Sequence, residues 1–326
     1  MNKEIIIRTL AESDGEYISG AMLANKLGVS RNTVWKAVKV LESEGYSIEA
    51  VPSKGYRLSA DNNRLSEKLI QVYLKTNNFG NKIIIYDEVS STNTCAKEMA
   101  SAGISAGTVV IADSQNAGKG RSGRNFVSPK GKGLYMSVIM RPDFDIQTAS
   151  LITSATACAV ADAIEKLCPH DVKIKWVNDL YMNGRKICGI LTEASLGMEM
   201  RSLDYAIVGI GLNIRSSEGN FSRDLRVTAT SIEDETGLKP DRNRLCAEIL
   251  NSLEKYISCI PERSYIPEYR SREILTGNTI TANVDNNKVI AFAEGIDDNA
   301  NLIIKLPDGT IRHLSSGEAN LCRVIE

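Results

Sequence analysis

Histidine is almost missing: His170 and His313 are the only two in 326 residues. A catalytic histidine relay or an imidazole-ligated metal centre therefore has almost no material to be built from. Paired cysteines are missing as well. The seven cysteines (Cys95, Cys158, Cys168, Cys188, Cys246, Cys259, Cys322) are odd in number, scattered and never in a C-x-x-C pair. That usage fits reduced thiols and core filler, with no structural metal, better than a disulfide scaffold or a zinc site. Long apolar runs are also lacking. Charges break the N-terminal MNKEIIIRTL, and Leu151–Cys168 is interrupted by Thr153, Ser154, Thr156, Asp162, Glu165 and Lys166. Neither a signal peptide nor a membrane span is expected, and the chain reads as soluble and cytoplasmic. Finally, neither sign of charge is in excess: 39 Lys+Arg oppose 40 Asp+Glu, a formal net charge of −1. Contact with nucleic acid must then come from a local basic patch. What is present, 43% apolar and 24% charged residues, is ordinary globular composition with length for two or three domains.

The basic patch is near the N-terminus. Ile18–Leu27 and Ser30–Glu44 read as two helices around Gly28-Val29, with Ser30 placed to cap the second. Val34, Ala37, Val38 and Leu41 form its apolar stripe, which leaves Arg31, Asn32, Thr33, Lys36 and Lys39 outward, as donors for base edges or phosphates. The following Tyr46–Leu58 reads as two strands around Pro52-Ser53-Lys54-Gly55, a wing carrying Lys54 and Arg57. Charge alone would suit a solvated face, but helix, turn, basic helix and basic hairpin in this order point to DNA. The expected contacts are Ser30, Arg31, Asn32, Thr33, Lys36 and Lys54. Two copies on a two-fold operator are expected, hence a homodimer.

A polar linker is expected at 60–64, followed by helix Leu65–Leu74 and strand Ile83–Tyr86. Ser90-Ser91-Thr92-Asn93 precedes a helix and by itself reads as a capping cluster. The loop Ser114–Arg124, SQNAGKGRSGR, lies between the strands Thr108–Ala112 and Leu134–Met140. Gly118, Gly120 and Gly123 allow close backbone approach, while Lys119, Arg121 and Arg124 add charge suited to a polyanion. It is neither a Walker A loop nor, lacking a following helix, a dinucleotide fingerprint; on this segment alone a solvated basic loop stays open. Downstream, Val172–Trp176 reads as a strand, Asn183-Gly184 as a hairpin turn, and Ile187–Glu193 and Ala206–Ile214 as strands whose Gly189, Gly209 and Gly211 leave room for a ligand. A helix at Asp241–Ser258 and a turn at Pro261–Pro267 lead to short strands at Thr279–Val284, Lys288–Ile296, Leu302–Leu306 and Thr310–Leu314, with turns at Asn286-Asn287 and Asp308-Gly309.

Taken together, Gln115 with GKGRSGR, KWVNDL (Lys175–Leu180), GRKICGIL (Gly184–Leu191) and VGIGLNI (Val208–Ile214) resemble the biotin protein ligase family in order and spacing. With the N-terminal domain, the whole chain resembles its bifunctional form, the biotin operon repressor. The resemblance implies an α+β chain in three parts. These are a winged helix-turn-helix (1–61), a class II synthetase-like ligase core of mixed β-sheet with flanking helices (62–272), and an SH3-like β-barrel (273–326) that would complete the acceptor surface and support the nucleotide end or, equally, serve as a purely structural cap.

It also implies roles. Ser91, Thr92, Asn93, Gln115, Gly118, Lys119, Gly120, Arg121 and Lys186 would hold biotin. Arg121, Arg124, Phe126, Asn178 and Asn213 would hold the nucleotide, with Arg121 and Lys186 catalytic and Asp179 orienting the acceptor lysine or magnesium. The implied reaction joins biotin and ATP, with Mg2+, into biotinyl-5′-AMP and passes biotin to a lysine of a biotin carboxyl carrier protein. Such chemistry needs alignment and stabilised negative charge but no protein nucleophile, which suits a chain nearly without histidine. The chain departs from the family pattern at Lys119 for arginine, Val177 for proline and Phe126 for tryptophan. A lipoate protein ligase, or a biotin-sensing repressor with little turnover, are the alternatives.

Overall fold

The computed structural model describes residues 2–59, 62–142, 146–196, 203–216, 219, 221–285 and 287–322. The first helix, Asn2–Glu12, was not expected from the sequence. It buries Ile6, Ile7 and Leu10 against Leu23, Val34, Val38 and Leu41 of the next two helices. Gly20–Leu27 starts two residues later than expected, because Ser19 caps it by accepting from Met22 N–H, while Gly28 (φ 64) ends it in the left-handed region. Ile18 instead pairs with Tyr56 of the hairpin Ile48–Val51/Gly55–Leu58. That contact requires glycine at 55: φ is +114 and a Cβ would lie 2.1 Å from the Ile18 carbonyl oxygen.

The central layer is a seven-stranded sheet in the order Lys82–Val89, Thr108–Gln115, Gly133–Met140, Leu203–Asn213, Arg185–Leu196, Asp179–Met182, Lys173–Lys175. Its first pair is parallel and the others antiparallel. Gly133–Met140 is buried at every position and reads in sequence as an apolar run broken only by Ser137. One face packs on the helices Leu151–Leu167 and Arg242–Ser258 in a single large core. The opposite face receives Thr92–Ser101 through Ala96 and Ala100. Asn183 (φ 48) and Gly184 (φ 77) form the tight turn between Asp179–Met182 and Arg185–Leu196.

Two expectations are corrected here. The expected Pro261–Pro267 turn is present over 261–265 but ends earlier than expected, in a helix, Ile266–Arg272, which tolerates Pro267 because a first-turn proline forfeits no helical hydrogen bond. The polar segment at 60–64 is no free tether over its described part. Asn62 is buried with its Oδ1 accepting from Ser47 N–H, and Asn63 Nδ2 donates to the Gly131 carbonyl. Ala60, Asp61 and the Asn286 half of an expected turn lie outside the described residues. The C-terminal part is a five-stranded antiparallel sheet, ordered Ile311–Leu314, Leu302–Lys305, Asn287–Ile296, Thr279–Val284, Ala319–Leu321. Its last strand was not anticipated.

Candidate active site and nucleic-acid interface

A cavity of about 460 Å3 opens on the central sheet where the strands Leu203–Asn213, Arg185–Leu196 and Asp179–Met182 meet the basic loop, a size suited to a small-molecule ligand. One end is polar. Gln115, at the end of its strand, accepts from Thr92 N–H (2.8 Å) and Thr92 Oγ1 (3.2 Å) and donates to Ser128 Oγ (2.8 Å). Asn93 Nδ2 donates to Glu193 Oε2 (2.8 Å) and the Leu191 carbonyl (3.2 Å), while Ser137 Oγ donates to Asn93 Oδ1 (2.7 Å). The capping reading of this cluster is therefore corrected. Ser91 occupies the cap position without a side-chain cap hydrogen bond, and Thr92 and Asn93 serve the cavity wall. Glu193, Ser128 and Ser137, which complete the network, carry no sequence signal beyond lying in strands or beside the loop.

Glycines shape the slot beside this network. A Cβ at Gly209 would sit 2.1 Å from Asn93 Oδ1, and one at Gly211 would sit 2.6 Å from the Phe126 ring. Phe126 lies over Gly211 and Gly189 and meets Tyr135 edge-on, ring centroids 6.4 Å apart. The loop that carries it folds back as a small hairpin: Gln115 bridges Ser128, Lys119 bridges Asn125, and Phe126 N–H donates to the Gly118 carbonyl at 2.8 Å. Gly118 could not carry a side chain there, since its Cβ would meet the Phe126 carbonyl oxygen at 2.4 Å. Ser122 (φ 54) and Gly123 (φ 73) turn the tip.

The other end of the cavity is cationic. Lys119, Arg121, Arg124, Lys175 and Lys186 line it against two carboxylates, Asp179 and Glu318, each already in an ion pair. Lys186 Nζ lies 2.6 Å from Asp179 Oδ1, so the two residues assigned separate tasks from sequence are partners here. Arg121 donates to Asn178 Oδ1 (2.9 Å) and to the Gly317 carbonyl (2.9 Å), and Arg124 pairs with Glu318. Asn178 Nδ2 donates to the Ile190 carbonyl at 2.8 Å and Asn213 Nδ2 to the Thr230 carbonyl at 3.0 Å, which fixes both amides. Gly120 borders this end, and Lys119 Nζ donates to Thr94 Oγ1 at 3.0 Å.

Lys175 was overlooked individually. Its ammonium reaches Asn320 Oδ1, and burial depresses its pKa against the opposing pull of Asp179 and Glu318. The C-terminal domain is thus part of the wall, through 317–320. Among the described residues no cluster of His, Cys, Asp and Glu could hold a metal ion, all seven cysteines are free, and no helix is long and apolar enough to cross a membrane.

The helix-turn-helix presents its basic face outward. Ser30 caps Arg31–Ser43 by accepting from Thr33 N–H at 3.2 Å; Arg31, Asn32, Thr33 and Lys36 are exposed on it, and Lys54 is exposed in the wing. Arg57 is less available than the sequence suggests. It pairs with Glu49 at 2.8 Å and lies over the Tyr17 ring, and Lys39 likewise pairs with Glu42.

A basic helix-turn-helix joined to a sheet bearing a cationic cleft with an enclosed polar slot is the frame of a ligase fused to a DNA reader. Family models agree along the chain: an HTH domain over residues 3–57, the biotin/lipoate A/B protein ligase family over 86–213, and the biotin protein ligase C-terminal domain over 276–321. The bifunctional ligase/repressor BirA of Bacillus subtilis is 36% identical over 97% of both chains. That of Escherichia coli is 27% identical over 95% of this chain and 94% of its own. Among solved structures, biotin protein ligase from Aquifex aeolicus in complex with biotin and ATP superposes with a TM-score of 0.62 at 25% identity, covering 74% of this chain and 99% of that one. This chain belongs to the biotin protein ligase family, in its bifunctional ligase/repressor branch.

Proposed function

We propose that this protein joins biotin and ATP into biotinyl-5′-AMP, transfers the biotinyl group to a lysine of a biotin carboxyl carrier protein, and represses transcription when loaded. The observation that carries the reading is the cleft itself, a slot over Gly209 and Gly211 with a pre-formed polar network at one end and Arg121, Lys175 and Lys186 at the other. Gln115 already holds Thr92, and Ser137 joins Thr92 to Asn93, so a polar bicyclic head meets fixed donors and acceptors with little ordering cost. Ser91 and Gly118 would complete that end, with Lys119 and Gly120 holding biotin from the cationic side.

In the first step a biotin carboxylate oxygen attacks the α-phosphorus and pyrophosphate leaves; in the second an acceptor amine attacks the acyl carbon and AMP leaves with the bonding pair. Both transition states gather negative charge, which Arg121 and Lys186 are placed to offset. Lys186 has to exchange Asp179 for the ligand, and the released carboxylate would then orient the incoming lysine and take up the proton that its amine sheds, or meet magnesium. Magnesium bound with ATP would offset phosphate charge, and Asp179 is the carboxylate of the cleft that would help to hold it. Phe126, Arg124, Asn178 and Asn213 border the nucleotide, and the 118–128 hairpin covers the adenylate from water.

This reading requires ATP and reduced thiols, hence the cytoplasm. It assigns residues 1–61 to operator DNA, 62–272 to catalysis and 273–326 to the site's outer wall, with a homodimer presenting two recognition helices. Binding of the Gly209/Gly211 slot to biotin in preference to lipoate separates it from the lipoate ligase alternative. The direct test is biotin transfer to a purified biotin carboxyl carrier domain with ATP and magnesium. Robust labelling that falls at least a hundredfold in Lys186→Ala is expected. Well-folded native protein that neither labels the carrier nor releases pyrophosphate with biotin would leave a sensor-repressor without turnover.

A further inference from the structure

The chain has two tryptophans, and they are used in opposite ways. Trp176 is 3% exposed and its indole N–H donates to the Ala300 carbonyl at 3.0 Å. Trp35 is 49% exposed on the helix Arg31–Ser43. Val34, Val38 and Leu41 occupy the buried side of that helix, and Trp35 is rotated away from them. It lies one turn after the exposed Arg31 and one turn before Lys39, whose ammonium pairs with Glu42, so the indole follows the Arg31 guanidinium along one strip. Asn32 and Lys36 flank it, and residues 31–38 contain no acidic side chain. An indole set among donors, with no acid in the first two turns, matches a polyanion that also offers apolar features. Duplex DNA is such a partner.

We propose that Trp35 is a base-reading residue that recognises thymine through apolar contact with its C5-methyl group in the major groove. The inference rests on the DNA-binding reading above and adds a specificity determinant to it. Arg31 and Asn32 have the chemistry to address guanine and adenine, but the distinctive major-groove mark of thymine is its methyl, which hydrogen-bond donors cannot distinguish from hydrogen. The N-terminal half of a recognition helix is the part that meets base edges, and Trp35 falls within it.

The test uses the full-length protein with biotin and ATP, and duplexes selected from a random-sequence pool at fixed salt. Each thymine of a selected duplex is then replaced by deoxyuridine, which removes the methyl and keeps the pairing. Native protein is expected to lose about fourfold in affinity at one thymine position per half-site, the equivalent of one buried methyl. Trp35→Ala should bind thymine and uracil duplexes equally, Trp35→Phe should retain part of the preference, and neither should change the salt slope or biotin transfer. Equal binding of thymine and uracil by the native protein at every position overturns the proposal, as does an undiminished methyl preference in Trp35→Ala. If that variant instead alters self-association alone, the indole belongs to a protein contact and the proposal is wrong. A native protein that selects no duplex at all fails at the underlying DNA-binding reading and takes this inference with it.

Discussion

Single atoms decide much of the cleft. Asn93 is held by Leu191, Glu193 and Ser137, and it stands where any side chain on residue 209 would have to go. Gly209→Ala is therefore expected to push Asn93 off its partners, costing roughly 2 kcal/mol of biotin binding for the disrupted buried network. The KM for biotin in pyrophosphate release should rise about thirtyfold while the recognition helix still binds DNA. Lys175 makes a different kind of prediction. Burial holds its pKa below the ordinary 10.5. Below its folded-state pKa the lysine is charged in both states and the fold bears the full desolvation penalty. As pH rises from there toward 10.5 the folded state sheds its proton first and the penalty fades. Relative to Lys175→Met, the native protein should gain stability across that alkaline interval, measured as urea midpoints of both proteins at neutral pH and at about pH 10.

At the scale of elements, the recognition helix depends on its cap. Ser30 accepts from Thr33 N–H, and its hydroxyl lies 3.0 Å from Thr33 Oγ1. A DNA contact and a cap are separable by substitution, because aspartate caps as well as serine but repels phosphate. Ser30→Ala should cost about 1 kcal/mol of domain stability. Ser30→Asp should retain that stability while weakening DNA binding; equal DNA affinity for Ser30→Asp and the native protein would show that Ser30 faces no phosphate. The basic loop depends instead on cross-links to other elements. Arg121 and Arg124 end on the C-terminal domain at Gly317 and Glu318, so its tip is positioned by a segment nearly two hundred residues away in sequence.

At the scale of the whole molecule, the DNA reader is fastened to the ligase body. Helix Glu67–Tyr73 gives Leu69 to the N-terminal core and Ile70 to the central one, and Tyr73 Oη donates to the Ala11 carbonyl at 3.0 Å. Arg242, 2% exposed, binds Asp113 at 2.7 Å, the Gly133 carbonyl at 3.0 Å and the Asn63 carbonyl. It ties the segment that follows the winged domain to the strand beside the basic loop. Removing one member of a buried charge pair leaves the other uncompensated, so Arg242→Ala is expected to lower unfolding free energy by about 3 kcal/mol in urea. A change within a few tenths of a kcal/mol would mean that the pair contributes nothing to the junction.

By itself the sequence determined the elements whose cause is local. The periodicity of Arg31–Ser43, the Asn183-Gly184 turn and the apolar run of Gly133–Met140 were all legible, because each follows from neighbours a few residues apart. So was the chemical class of the site, since GKGRSGR, KWVNDL and GRKICGIL keep their order and spacing. Only the tertiary structure decided the partnerships. That Asp179 neutralises Lys186, that Glu193 and Ser137 fix Asn93, that Arg57 is spent on Glu49, and that the chain's last described strand walls the cleft depend on which strands the sheet places side by side. The Asn93 contacts and the C-terminal wall cross tens to hundreds of residues, and the two ion pairs, only seven and eight residues apart, form across hairpins whose register the sequence pattern does not state.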